Sequence, residues 1–284
     1  MENIAKEIRE LLELKRKELK LSFYEDTHSY KMIGLDGKVK SNFPSVSKVM
    51  KLFYEEFPTD QAAENKSKGD PELKAKLIKE WAEAGTYSTN MGSRVHYFLE
   101  KESVKRFNLG KEVRQPIFEC DSSQIIKGDQ MIEAGMKYLD LMEERGAVLI
   151  DTEMILGHPE LGYTGQPDKA WLIKNKSGSN YGLMITDWKT NKPKNFEENK
   201  FTKRMYEPFQ ELPNTSLGHY YTQLPFYGKL LIKMLEGTKY SNIKLLGCFI
   251  TLLKEDGEFQ EYKVPKEVTD TIMGMNVKKY LIKK

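Results

Sequence analysis

The order of periodicities along this chain predicts an α/β fold built on one mixed sheet flanked by helices. Three observations carry that reading. Helical spacing dominates from residue 2 to 146, and strand-like segments dominate from 147 to 189. A helix, an apolar strand, a return strand and a closing helix then follow, with no repeat, low-complexity tract or linker dividing the chain.

Taken in order, residues 2–20 place Ile4, Ile8, Leu11, Leu12 and Leu19 near helical spacing, among acid and base pairs three or four apart, which predicts an amphipathic helix. "SFYEDTHSYKMIGLDGKVK" alternates polar and apolar residues around Asp36-Gly37, a hairpin signal. Helices are expected over 46–55 and 60–84, the second interrupted by Gly69, Asp70 and Pro71, and again over 88–106 and 122–146. "AVLIDTEMIL", "GQPDKAWLI" and "YGLMITDWK" read as a meander of three antiparallel strands separated by turn residues. The stretch from Asn214 to Gly237 reads as a helix, "IKLLGCFITLL" as a strand, "GEFQEYKV" as its hairpin return and 266–281 as a closing helix.

Composition narrows the classes. The 284 residues suffice for a sizeable core, and 45 Lys+Arg against 42 Asp+Glu leave a formal net charge of +3, so any basic surface must be local. Cys120 and Cys248 lie far apart without CxxC spacing, against a structural zinc site or a disulfide framework. No apolar run approaches the roughly 18–20 residues that span a bilayer, and the N-terminus carries acids throughout. The expectation is a soluble intracellular protein.

The chemistry-bearing residues cluster on the second and third strand-like segments. Asp187 and Lys189 are two apart at the end of an apolar strand, hence side by side on one face, either as an ion pair or facing a shared ligand. The same acid-x-lysine spacing at Glu13, Glu18, Asp36, Glu64, Glu72, Glu198 and Glu261 belongs mostly to solvated helix faces and turns, so the spacing alone carries little. Asp168, 19 residues earlier, can converge on Asp187 if the strands are hairpin neighbours. Converging carboxylates repel, and Mg²⁺ or Mn²⁺ is the usual relief, with a nearby lysine stabilising charge on a phosphoryl group.

His96 and Glu100 share a helical face, where His96 is either a structural helix histidine or a neutral imidazole suited to Mn²⁺. Gln223 and Tyr227 share another, either as ordinary helix surface and core or as an amide and phenol holding water or phosphate. Pro225 lies between the latter two: a helix capped by Thr222 would keep it in the first turn and preserve the shared face, whereas a helix starting near Ser216 would distort it. His28, His158 and His219 have no partners at ligand spacing and read as structural or exposed. Lys192, Lys194, Lys200, Lys203 and Arg204 form a local basic stretch, either a solvated loop or a phosphate contact.

Together "GQPDKAW" and "ITDWKT", with "GSRVHYFLE" at 92–100 and "QLPFY" at 223–227, resemble the PD-(D/E)xK nuclease superfamily, in particular its RecB-like and Cas4-like branch. The earlier "HSYKMIGLDGKVKSNFPSVSKVM" is similar to the preamble of phage and mitochondrial single-strand exonucleases of that branch. The resemblance implies a restriction-endonuclease-like core over 88–284, with 1–87 as an N-terminal helix, hairpin and helical elaboration packed on it. It implies a metal-dependent DNA nuclease, an exonuclease on single strands or ends, of the kind used in DNA repair and recombination. The alternatives are a structure-selective endonuclease of the same fold and an inactive DNA-binding or scaffold member.

By the same resemblance His96, Asp168, Asp187 and the backbone carbonyl of Trp188 ligate Mg²⁺ or Mn²⁺, Lys189 is the catalytic lysine, and Gln223 and Tyr227 support it. Glu153, acting through water, and Glu100 are supporting residues; Arg94, Lys192 and Lys194 contact nucleic acid. Relatives with an iron-sulfur cluster use four cysteines, so none is expected here with two. No Walker motif is present, so no ATP is expected, and unwinding would need a partner such as a helicase; a polymerase or single-strand-binding protein is the other partner class. No membrane partner is expected, and the resemblance implies a cytoplasmic protein of a bacterial or phage-infected cell.

Overall fold

A computed structural model describes residues 1–175, 178 and 180–281. The chain runs α1 (Glu2–Glu18), β1 (Ser22–Tyr24), β2 (Ser29–Ile33), β3 (Val39–Lys40), α2 (Val46–Met50), α3 (Thr59–Ser67), α4 (Pro71–Arg106) and α5 (Ser122–Glu144). Then come β4 (Val148–Thr152), β5 (Leu156–His158), β6 (Tyr163–Gly165), β7 (Lys169–Lys174) and β8 (Tyr181–Lys189), followed by α6 (Ser216–Leu235), β9 (Leu245–Leu253), β10 (Phe259–Lys263), α7 (Lys266–Gly274) and α8 (Lys278–Leu281).

The central sheet has the order β10-β9-β8-β7-β4. β4, β7 and β8 form the antiparallel meander, and β8 pairs with β9 in parallel, which makes the sheet mixed. Alternation along each strand sends side chains to opposite faces, so the sheet carries two cores. Ile150, Ala170, Leu172, Leu183, Ile185 and Ile250 pack beneath α1, α2, α6 and α7. Leu149, Trp171, Met184, Trp188 and Leu253 pack with Val95, Leu99, Tyr138 and Leu139 of α4 and α5. The expected mixed sheet between helices, with a helical N-terminal region, is therefore present.

Three sequence expectations need correction. The helices expected at 60–84 and 88–106 are not two: α4 runs unbroken for 36 residues, so the expected boundary at 87/88 falls inside it. Its polar middle is satisfied internally, since the hydroxyls of Thr86 and Ser88 donate to the carbonyls of Ala82 and Ala84. Asp70 starts it, accepting from the N–H groups of Glu72 and Leu73, with Pro71 in the first turn. Second, the strand expected at 147–156 ends at Thr152, because Glu153 has φ +47° and turns the chain into a short β5-β6 hairpin. Third, the closing helix is split into α7 and α8.

Candidate active site

The two aspartates and the lysine singled out in the sequence stand at one end of the sheet. β7 and β8 pair with Lys169 opposite Thr186, and extending that register sets Asp168 opposite Asp187. Both point to the α6 side, with Ala170 and Ile185, and both are buried. Asp168 is fixed by the Trp188 N–H, which donates to its Oδ2 at 2.6 Å. The carbonyl of Asp168 accepts from the Glu153 N–H at 2.9 Å and from Thr152 Oγ1 at 2.7 Å, which ties β4 to the start of β7.

Across from this pair, α4 presents His96. Its Nδ1 lies 3.6 Å from Asp168 Oδ2 and 3.9 Å from Glu153 Oε1. One ligand atom from each of His96, Glu153 and Asp168 lies within 4.8 Å of the others, so this group could hold a metal ion. Gln166 Nε2 orients Glu153, donating to Oε2 at 3.1 Å. Burial works against protonation of His96, but the charges of Asp168 and Glu153 outweigh it and raise the imidazole to about 9.

Asp187 stands outside that trio. Its carboxylate ion-pairs with Lys189, whose side chain is 15% exposed against 3% for Asp187. Burial and the neighbouring Asp168 raise the Asp187 carboxyl above its ordinary range. Burial opposes the charge on Lys189, yet Asp187 holds its ammonium well above the usual lysine value. The ammonium also lies 4.3 Å from the centroid of the Tyr220 ring.

α6 starts at Ser216 behind Thr215, so Pro225 is interior to the helix. The shared face nevertheless survives: Gln223 Nε2 donates to Tyr227 Oη at 2.9 Å, contrary to the distortion expected for a helix beginning there. Both side chains are buried, and among the described residues Gln223 Oε1 has no hydrogen-bond partner. Burial, then Asp187 and Asp168, push the Tyr227 phenol well above 10. Gly165 makes room for this ring, since a Cβ there would stand 2.6 Å from Tyr227 Cε1.

Two clefts meet at Gly92 and His96. One, of about 700 Å³, is lined by Lys127, Lys189 and Lys192 with Tyr87 and Tyr220, against the single carboxylate Glu255. The other, of about 770 Å³, carries Glu25, Glu100, Glu112, Glu153 and Asp168 against Lys111 and Arg114. Lys192 lines the first cleft and Lys194 a neighbouring one, both exposed. Arg94 donates to Asp129 of α5 at 2.6 Å and stacks on Phe98, so it braces α4 against α5.

Glu100 lies one turn beyond His96, and burial, with Glu153 adding to it, raises its carboxyl to about 7. Three further residues, Lys169, Gln166 and Lys111, reach this region. Lys169 is 2% exposed, with Nζ 3.4 Å from the centroid of the Trp188 ring, and burial lowers its ammonium to about 8. A lysine inside an apolar strand was the available signal. Gln166 stood within the "GQPD" motif, whereas Lys111 lies in a segment without periodicity. Among the described residues no helix is long and apolar enough to cross a membrane. The chain matches no protein-family model and no curated protein.

Proposed function

We propose that this chain is a divalent-metal-dependent nuclease that hydrolyses phosphodiester bonds in DNA, acting as an exonuclease on single strands or DNA ends. The observation that carries the reading is the His96–Glu153–Asp168 group, within 4.8 Å, beside the buried Asp187–Lys189 pair where two clefts meet. The His96 imidazole, once the ion displaces its proton, and two carboxylates would fit Mg²⁺ or Mn²⁺, and Gln223 Oε1, unpartnered among the described residues, leaves a buried acceptor for a water nearby. When bound, such an ion supplies Lewis acidity toward a phosphoryl oxygen and lowers the pKa of a coordinated water.

The chain's own groups do the rest. Trp188 N–H and Gln166 hold Asp168 and Glu153 in place, and Asp187 completes the acidic set while fixing Lys189. Lys189, kept cationic by Asp187, donates to the phosphate and stabilises the charge that develops there. Gln223 and the protonated Tyr227 close the α6 side and orient water at that edge. The DNA backbone follows the lysine-lined cleft past Lys192, with Lys127 held there by Glu255 at 3.1 Å, because the opposite cleft is acidic and repels phosphates.

One feature favours a second reading: the site opens into clefts on both sides, which suits a structure-selective endonuclease of the same chemistry. End-labelled linear DNA and circular single-stranded DNA, each with Mg²⁺ and with Mn²⁺, test both readings. Digestion of linear strands alone supports the exonuclease, cutting of circles supports the endonuclease, and Lys189→Ala abolishes either activity. Equal activity of wild type and Lys189→Ala would overturn the mechanism, and no activity in either would overturn the nuclease reading.

A further inference from the structure

Lys111 belongs to the stretch 107–121 between α4 and α5, which forms neither helix nor strand, yet its ammonium is bound in one place. Nζ lies 3.0 Å from Asp151 Oδ1 and 3.7 Å from Glu100 Oε1, and it donates to the carbonyl oxygen of Thr152. The two carboxylates are each 19% exposed. Two carboxylates and a backbone carbonyl are the all-oxygen set that a hard divalent cation takes, and here an ammonium occupies it.

The position adjoins the proposed metal group on every side. Glu100 is one helical turn from His96, Thr152 precedes Glu153 in the chain, and Thr152 Oγ1 donates to the carbonyl of Asp168. His96 and Lys169 offset Glu153 and Asp168, so without a cation at this point Glu100 and Asp151 would lose their nearest counter-charge. Taking the His96–Glu153–Asp168 group as the metal site, we propose that Lys111 is a built-in cation that holds the place of a second divalent ion and limits the centre to a single metal. Lys111 is thus a positioning residue, acting through Glu100 and Asp151 rather than on the substrate.

The test counts bound Mn²⁺ on the full chain from the loss of the free-ion electron paramagnetic resonance signal, with circular dichroism confirming the fold. Wild type and Lys111→Arg bind one ion, Lys111→Met binds two, and Lys111→Met with Asp151→Asn returns to one. Lys111→Gln is the second neutral variant and also binds two. A folded Lys111→Met or Lys111→Gln that binds one ion overturns the proposal, as does a wild type that binds two. A wild type that binds none overturns the metal reading on which the proposal rests.

Discussion

Removing Lys189 tests the coupling at the heart of the site. Lys189→Met keeps most of the apolar stem but leaves Asp187, whose side chain is 3% exposed, without its counter-ion. Breaking a buried pair from one side costs about 3–5 kcal/mol, a large share of the 5–15 kcal/mol by which domains are typically stable. Adding Asp187→Asn removes the stranded charge and recovers most of that loss, so the double variant is more stable than Lys189→Met. The penalty also depends on pH. Asp187 already binds its proton more tightly in the folded chain than unfolded, and loss of Lys189 strengthens this. Between the unfolded carboxylate value and the raised folded value the native state holds the extra proton, so stability falls as pH rises. Urea unfolding in chelator at pH 5 and pH 8 therefore shows the Lys189→Met deficit larger at pH 8. An equal deficit at both pH values, or a double variant no more stable than Lys189→Met, would refute the buried-pair account.

Further predictions follow from the same geometry. Gly165→Ala brings a Cβ to 2.6 Å from Tyr227 Cε1 and 2.8 Å from Val46 Cγ2, an overpacking cost of about 1–3 kcal/mol that calorimetry reads as a lowered Tm. His219 stacks on Tyr54 at 3.7 Å, and burial lowers its imidazole to about 4. The unfolded chain therefore takes up this proton first, its contribution to stability is lost as pH falls from about 6.5 toward 4, and His219→Gln flattens the stability profile across that window. Mn²⁺ at 100 times its Kd stabilises the folded chain by about 2.7 kcal/mol, seen as a raised Tm, and His96→Ala abolishes most of the gain.

The strand residues of the site were legible because a buried strand leaves few reasons for charge. Asp168, Asp187 and Lys189 stand out against apolar neighbours, and hairpin register alone makes the two aspartates opposite partners. His96, one turn from Glu100 on a helix, stood out through the resemblance of "GSRVHYFLE" to a nuclease motif, since a lone helix histidine is otherwise an ordinary structural residue. Local propensity misled where tertiary or side-chain bonding took over: α4 passes through Gly85 and Ser88–Asn90, and α6 passes through Pro225 while keeping Gln223 and Tyr227 together. Glu153 shows a different limit. Its approach to His96 depends on a positive φ that no pattern in "DTEMIL" announces. Arg94 and Lys111 find carboxylates 35 and 40 positions away, at Asp129 and Asp151, so their roles follow from packing rather than from spacing.

Single-turnover cleavage of end-labelled single-stranded DNA, by wild type and by Asp168→Asn, bears most directly on the proposed chemistry. Asp168→Asn removes a carboxylate from the trio while keeping an oxygen for the Trp188 N–H, so the fold survives and the metal group does not. With Mn²⁺ the wild type degrades the strand, chelator stops it, and Asp168→Asn is slower by at least about 10²–10³, the scale of a lost charge-stabilising group. Cleavage that persists in chelator, or an Asp168→Asn variant as fast as wild type, would contradict a metal-dependent nuclease centred on these residues.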